Sequence, residues 1–164
     1  AMRAGDRLDC YELNPRFAAY LRDRVREDEH YAGVRERIRV HAGPAEAAAS
    51  DEPVDFVICS IPLNNLNPDQ TRAVFETGFR LLSGGGWFTY FEYPLRPGLQ
   101  RLMSSGTQRR RIDGVRRVKR DFAPPGTRRS QVVRNLPPAT AVHVPASEVM
   151  VDGARRETEP ESGA

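Results

Sequence analysis

Ser60-Ile61-Pro62-Leu63-Asn64-Asn65 is the stretch of this chain best equipped for chemistry. It follows the apolar run Val54-Asp55-Phe56-Val57-Ile58-Cys59, which reads as a buried parallel strand. The break falls where the carboxyl end of that strand should lie, and open α/β sheets bind ligands in the crevice at those ends. A proline there stiffens the loop and has no N–H to donate. The neighbouring carbonyl and amide oxygens are then free to accept hydrogen bonds from an amine and aim its lone pair at an electrophile. A plain strand-to-helix turn uses the same Asn and Pro residues, so both readings stand.

A second candidate is Glu12, at the end of a short strand and followed by Asn14-Pro15. A carboxylate in that place accepts two hydrogen bonds from a vicinal diol such as a ribose. The alternative is a surface carboxylate at a helix start. Gly84-Gly85-Gly86-Trp87 lacks the Lys-Ser/Thr of a phosphate loop and precedes a strand, so it is read as a helix stop. Glu92 and Tyr93 close the next strand, at the pocket or its rim. Asn135, in the turn Arg134-Asn135-Leu136-Pro137-Pro138-Ala139, either caps the site or is structural.

The elements that must position these residues follow from periodicity. Arg7 to Tyr11 alternates as a strand, and Pro15 opens a helix with Phe17, Ala18, Leu21 and Val25 at helical spacing. Arg37 to His41 is a second strand, Ala45 to Ala49 a single turn or loop, and Val54 to Cys59 the third strand. Asn67 caps a helix with Pro68 at its first position and Val74, Phe75, Phe79 and Leu82 on its apolar face. Trp87 to Tyr93 is an aromatic strand. A basic helical region carries Leu99, Leu102, Met103, Ile112, Val115, Val118 and Phe122, broken near Ser104 to Thr107. Pro124-Pro125-Gly126 is a turn, and Gln131 to Arg134 and Thr140 to Val144 are the last two strands. This alternation predicts an α/β fold: a Rossmann-like, doubly wound, mostly parallel sheet with a C-terminal antiparallel strand pair. One domain is expected over residues 1–146, with an acidic, disordered tail over 147–164.

The 164 residues carry a net charge of only +3 with a mean hydropathy of -0.58, but the charge is uneven. Between Arg96 and Arg134 twelve basic residues face only Asp113 and Asp121. Such a block fits an anionic partner, either phospholipid headgroups or nucleic acid, or else a solvated face. Cys10 and Cys59 lie in apolar runs, which is buried-thiol usage, and the three histidines show no metal-ligand spacing. No signal peptide or transmembrane span is evident, so a cytoplasmic location is the default expectation.

Four stretches together resemble the class I S-adenosylmethionine-dependent methyltransferases, and among them the bacterial phospholipid N-methyltransferases and the related ribosomal RNA adenine dimethylases. They are Asp9-Cys10-Tyr11-Glu12-Leu13-Asn14 with Phe17; Ser60 to Asn65; Leu81 to Gly86 running into Phe88-Thr89-Tyr90-Phe91-Glu92-Tyr93; and Arg134 to Ala139. The resemblance implies S-adenosyl-L-methionine as cofactor, held by Glu12, Asn14, Gly43, Ala45 and Ser60. It implies Ser60, Pro62 and Asn64 as catalytic residues, Leu63, Asn65, Tyr93 and Asn135 toward the substrate, and no metal. The implied acceptor is a phospholipid amine such as phosphatidylethanolamine, with the protein peripheral on the inner face of the membrane. RNA is the alternative acceptor, and a non-catalytic module with a degenerate cofactor site the third possibility.

Three departures from the family pattern bear on this. The glycine-rich loop after the family's first strand is absent, as are that strand and its helix, which predicts a fragment of a longer protein. In the family that strand lies centrally, so the strands at Arg7–Tyr11 and Arg37–His41 are expected to lack a neighbour. Pro44 stands where the adenine-binding acid is usual, with Glu46 nearby. Ser60 and Leu63 stand where RNA adenine methylases place Asn or Asp and a base-stacking aromatic, which tilts the acceptor away from a nucleobase. In the membrane reading Leu99, Leu102, Met103, Val115 and Phe122 dip into the bilayer; in the alternative they pack on the sheet.

Overall fold

The computed structural model describes residues 2–92, 106–132 and 139–149, which form two compact units divided after Ala48. The first holds β1 (Leu8–Glu12), α1 (Pro15–Glu27) and β2 (Ile38–Ala42), with short 3-10 turns around them. β1 and β2 pair in parallel, Leu8 beside Ile38 through Glu12 beside Ala42. Asn14 starts α1 by accepting the Arg16 N–H on its side-chain oxygen at 2.9 Å, and Pro15 takes the first position, where no N–H is needed. Of the apolar stripe expected on α1, only Ala18 is fully buried; Phe17 remains 61% exposed and Leu21 is exposed too. The reason is width. A two-stranded sheet offers little apolar surface for a 13-residue helix to cover. On the sheet face shared by Asp9, Tyr11 and His41, His41 Nε2 lies 2.7 Å from an Asp9 carboxylate oxygen and its ring stacks on Tyr11 at 4.6 Å.

The second unit is built on β3 (Val54–Cys59), α2 (Pro68–Leu81), β4 (Leu82–Glu92), α3 (Gly106–Asp121), β5 (Arg128–Val132) and β6 (Ala139–Pro145). Its sheet runs β3-β4-β6-β5, with β3 parallel to β4 and the rest antiparallel. The C-terminal antiparallel pair is therefore as expected, though β5 begins at Arg128 rather than Gln131. The glycine triplet is not a helix stop. α2 ends at Leu81, and Leu82 already pairs with Val54. The next paired residues are Phe56 and Trp87, so residues 83–86 bulge out of β4 opposite Asp55. A Cβ at Gly86 would lie 2.9 Å from the Leu82 side chain and 3.0 Å from the Asp55 carbonyl, and this close approach selects glycine.

One face of this sheet is dry. Phe88, Tyr90, Val142 and Val144 project there and are fully buried with Phe75 and Phe79 of α2 and Phe122 at the end of α3. Phe75 stands 4.9 Å from Phe88, 5.2 Å from Tyr90 and 5.2 Å from Phe122, ring centre to ring centre, and Phe79 stacks on both Phe88 and Phe122. The Tyr90 hydroxyl finds no hydrogen-bond partner among the described residues, and burial pushes its phenol well above the ordinary range. The opposite face differs. Phe56 and Ile58 of β3 are each 69% exposed, and among the described residues β3 has a strand partner on one side only.

These packing differences order the expected effects on stability. Phe88→Ala costs about 3–5 kcal/mol, whereas Phe56→Ser with Ile58→Ser changes the unfolding free energy by less than about 1 kcal/mol in total. Tyr90→Phe removes an orphaned buried hydroxyl and raises stability by about 1 kcal/mol. Urea unfolding followed by circular dichroism measures all three, and a loss on Tyr90→Phe would mean the hydroxyl is in fact paired.

Candidate active site

The polar loop after β3 is shaped by its apolar residues. Cys59, the last residue of the strand, is buried and sits beside Tyr90. The chain then makes a 3-10 turn, Leu63–Asn65, in which the Asn65 N–H donates to the Pro62 carbonyl at 2.8 Å and the Leu66 N–H to the Leu63 carbonyl at 3.1 Å. Next comes a reciprocal cap on α2. Asn67 accepts the Gln70 N–H at 2.8 Å, and the Gln70 side chain accepts the Asn67 N–H at 3.0 Å. Thr71, fully buried, donates its hydroxyl to the Asn67 carbonyl at 2.8 Å.

Leu63 was expected to meet substrate, and the structure corrects this. At 2% exposure its side chain is the apolar anchor of the turn, pointing into the core, so no acceptor can reach it. Ser60, Pro62, Asn64 and Asn65 are exposed around it. The Pro62 and Leu63 carbonyls are spent on the turn, and the Asn64 carbonyl accepts from the Arg111 guanidinium at 3.4 Å. Acceptors of the loop left without a partner among the described residues include the Ser60 and Ile61 carbonyls, the Ser60 hydroxyl and the side-chain oxygens of Asn64 and Asn65. These can orient an ammonium or amine; none is a strong general base at neutral pH.

Sequence reasoning missed Arg111 and Gly114. Both lie on α3, whose Gly114 meets the start of α2: a Cβ there would lie 2.5 Å from the Pro68 ring. A glycine inside a helical pattern was the available signal. The basic region also needs a second correction. Val115, Val118 and Phe122 are 2%, 4% and 5% exposed, packed toward the aromatic core, so neither Val115 nor Phe122 dips into a bilayer. They pack on the sheet side, as the alternative had it. Leu99, Leu102 and Met103 lie outside the described residues, as do Tyr93, Asn135 and most of the acidic tail.

In the first unit, the cofactor candidates cluster at the carboxyl ends of β1 and β2. The Gly43 N–H donates to the Glu12 carbonyl at 3.0 Å, which joins the two strand ends. One Glu12 carboxylate oxygen accepts the Asn14 N–H at 2.7 Å, and the other has no hydrogen-bond partner among the described residues. Asn14 itself is committed to capping α1 through its side-chain oxygen, so its part is to hold Glu12 by its backbone. Gly43 has open space where a Cβ would stand, and Ala45 begins a 3-10 turn after Pro44. Burial raises the Cys10 thiol above its ordinary value, which keeps it protonated and inert. Among the described residues no group of three or more His, Cys, Asp or Glu is placed to hold a metal ion.

No protein-family model matches the chain, and no curated protein does. Solved structures do. The O-methyltransferase from Bacillus cereus in complex with SAH superposes with a TM-score of 0.60 at 18% identity, over 86% of this chain and 63% of that one. The O-methyltransferase TomG from Streptomyces achromogenes, involved in tomaymycin synthesis and in complex with SAM, gives 0.59 at 20% identity, over 88% and 64%. The N-methyltransferase NodS from Bradyrhizobium japonicum, with S-adenosyl-L-homocysteine, gives 0.55 at 14% identity, over 85% and 66%. The fold is that of Rossmann-like methyltransferases. The chain spans less than two thirds of the length of each of these three structures.

The burial of Leu63 yields a direct test. Leu63→Ala is expected to destabilise by about 2–5 kcal/mol, while Asn65→Ala, exposed on the same turn, shifts stability by no more than about 0.5 kcal/mol. Thermal melts of the two variants side by side decide it; equal, small effects would return Leu63 to the surface.

Proposed function

We propose that the chain is the core of an S-adenosylmethionine-dependent N-methyltransferase whose acceptor is a phospholipid amine headgroup such as phosphatidylethanolamine. The observation that carries the reading is the fold, shared with methyltransferases solved with SAM or SAH, combined with a loop of exposed, non-aromatic hydrogen-bond acceptors after β3. Glu12 suits the cofactor's ribose, since it ends β1 with a carboxylate oxygen to spare and is braced by the Asn14 N–H. Gly43, without a Cβ, leaves room beside it.

Bound, S-adenosylmethionine supplies a methyl group made electrophilic by its sulfonium. The chain's own work is positioning. Once the headgroup ammonium has given a proton to solvent, the Ser60 and Ile61 carbonyls accept the remaining N–H bonds and so direct the freed lone pair. Asn64, whose backbone is held by Arg111, presents its amide oxygen to the same amine. Residues 60–65 include no aromatic side chain, and among the described residues Leu63 is buried and Tyr90 is enclosed in the core. That favours a headgroup amine over a nucleobase, which is usually gripped between planar side chains.

The assay is transfer of labelled methyl from S-adenosylmethionine to phosphatidylethanolamine vesicles and, in parallel, to RNA. It is run on this chain and on the chain together with whatever residues its gene encodes before Ala1. Label in the lipid is the expected result. Glu12→Ala should weaken S-adenosylhomocysteine binding in calorimetry by 10-fold or more, a loss on the order of 1.4 kcal/mol. Asn64→Ala should lower turnover with little change in that affinity. Label in RNA alone, or no cofactor binding by either folded form, overturns the reading.

A further inference from the structure

Arg111 differs from the other charged residues that α3 turns toward the fold. Lys119 is answered by Glu92 at 3.3 Å, and Asp121 by Arg72 of α2 at 3.1 Å. Arg111 makes no ion pair among the described residues, and residues 60–67, the stretch beside it, contain no acid. Its side chain is exposed and makes one long hydrogen bond, to the Asn64 carbonyl at 3.4 Å. A guanidinium carries five N–H donors in a planar fork. Most of that fork is therefore open, next to the loop that carries the acceptor-binding oxygens.

The group is also seated firmly. Three residues on, and on the same side of the helix, Gly114 lies against Pro68, where a Cβ would stand 2.5 Å from the ring. Val115, one residue further, is buried. The turn of α3 that follows Arg111 thus rests on the start of α2, into which the Ser60–Asn65 loop leads. A bare ammonium entering this loop meets a like charge beside it, and that repulsion weakens its binding. An ammonium whose own molecule brings an anion to the fork does not pay that cost.

We propose that Arg111 binds the phosphate of the acceptor while the loop binds its amine, so that the site selects an amine and a phosphate joined by two carbons. This rests on the methyltransferase reading above and adds the residue that tells a phosphoethanolamine group from other amines. In that group nitrogen and phosphorus are linked N–C–C–O–P, a span of about 4–5 Å at ordinary bond lengths. The Arg111 fork lies 3.4 Å from the Asn64 backbone, so an amine on the Asn64 side chain has its phosphate within reach of the fork. The fork's paired donors match two phosphate oxygens. The exocyclic amine of a nucleobase is separated from its phosphate by the base and the sugar, a far longer link than this pair suits. The recognised chemistry is the same whether the group ends a lipid or is free in solution.

The test compares methyl transfer to acceptors with and without phosphate, using both forms of the chain named above and their Arg111→Gln and Arg111→Lys variants. Phosphatidylethanolamine and stearylamine are presented in neutral detergent micelles; phosphoethanolamine and ethanolamine are free in solution. In Arg111→Gln the ratio of kcat/KM for phosphatidylethanolamine to that for stearylamine should fall roughly 10- to 100-fold, chiefly through KM. Arg111→Lys, which keeps the charge and loses the fork, should restore part of it. The ratio cancels any effect that Arg111 has on every amine by holding Asn64. An equal fall on both acceptors, or no fall, overturns the assignment. The same arginine-dependent ratio for phosphoethanolamine over ethanolamine, with the lipid inert, would support it with the free compound as the source. Calorimetry separates the two claims: glycerophosphoethanolamine should bind about 10-fold more weakly to Arg111→Gln, and ethanolamine should not lose affinity. Arginine-dependent binding of that probe without S-adenosylhomocysteine binding removes the methyltransferase reading alone. S-adenosylhomocysteine binding with probe affinity independent of Arg111 removes the phosphate assignment alone.

Discussion

The ring cluster of Phe75, Phe79, Phe88, Tyr90 and Phe122 is the interaction on which the second unit depends. It joins α2, β4 and the end of α3 in one dry layer, and large aromatic rings bury more apolar surface per residue than smaller side chains do. Its consequence for the loop is geometric. Phe75 fixes the first turns of α2, the Asn67–Gln70 cap fixes where α2 begins, and the pairing of Cys59 with Tyr90 fixes where β3 ends. The residues between have few ways to connect those two points, and the buried Leu63 selects one of them. Polar side chains of modest intrinsic reactivity are thereby held still, which is the requirement for a reaction governed by orientation rather than by acid–base strength.

The same division of labour runs through α3. Lys119 and Asp121 each spend their charge on another element, joining the helix to Glu92 of β4 and Arg72 of α2. Pairs of this kind contribute little when exposed, though the Lys119–Glu92 pair is largely enclosed and is screened less by salt. Arg117 and Arg120, exposed and three residues apart on the helix, make no ion pair among the described residues and repel one another. A helix bearing that repulsion is tolerable because Val115, Val118 and Phe122 bury deeply enough to outweigh it.

Legibility in the sequence followed the length and regularity of each signal. The β3 run, the Asn67-Pro68 helix start, the apolar face of α2 and the final antiparallel strands were readable because each rests on a local rule that tertiary structure did not override. The glycine triplet was misread because three consecutive glycines after a helix satisfy the rule for a stop and equally the needs of a bulge. Only the crowding of Gly86 against Leu82 and Asp55 separates the two. Leu63 was misread for a related reason. Within a polar loop an isolated leucine can anchor or contact, and the periodicity that tells inside from outside does not exist over three residues. For Val115 and Phe122, amphipathicity told which side is apolar, but not whether protein or lipid covers it.

The contrast between the two faces of the second sheet carries the last step. On one side every large residue is enclosed; on the other Phe56 and Ile58 stand on a strand with a single partner among the described residues. Edge strands of soluble proteins are usually blunted by lysine, proline or a bulge. Between Val54 and Cys59 the only charge is Asp55, there is no proline, and the one irregularity lies at the Val54 end. The register that sets the acceptor loop, Val57 beside Phe88 through Cys59 beside Tyr90, belongs wholly to the paired edge. The loop's geometry thus derives from the dry face and the β4 side of the strand, and it does not require the exposed residues to be covered.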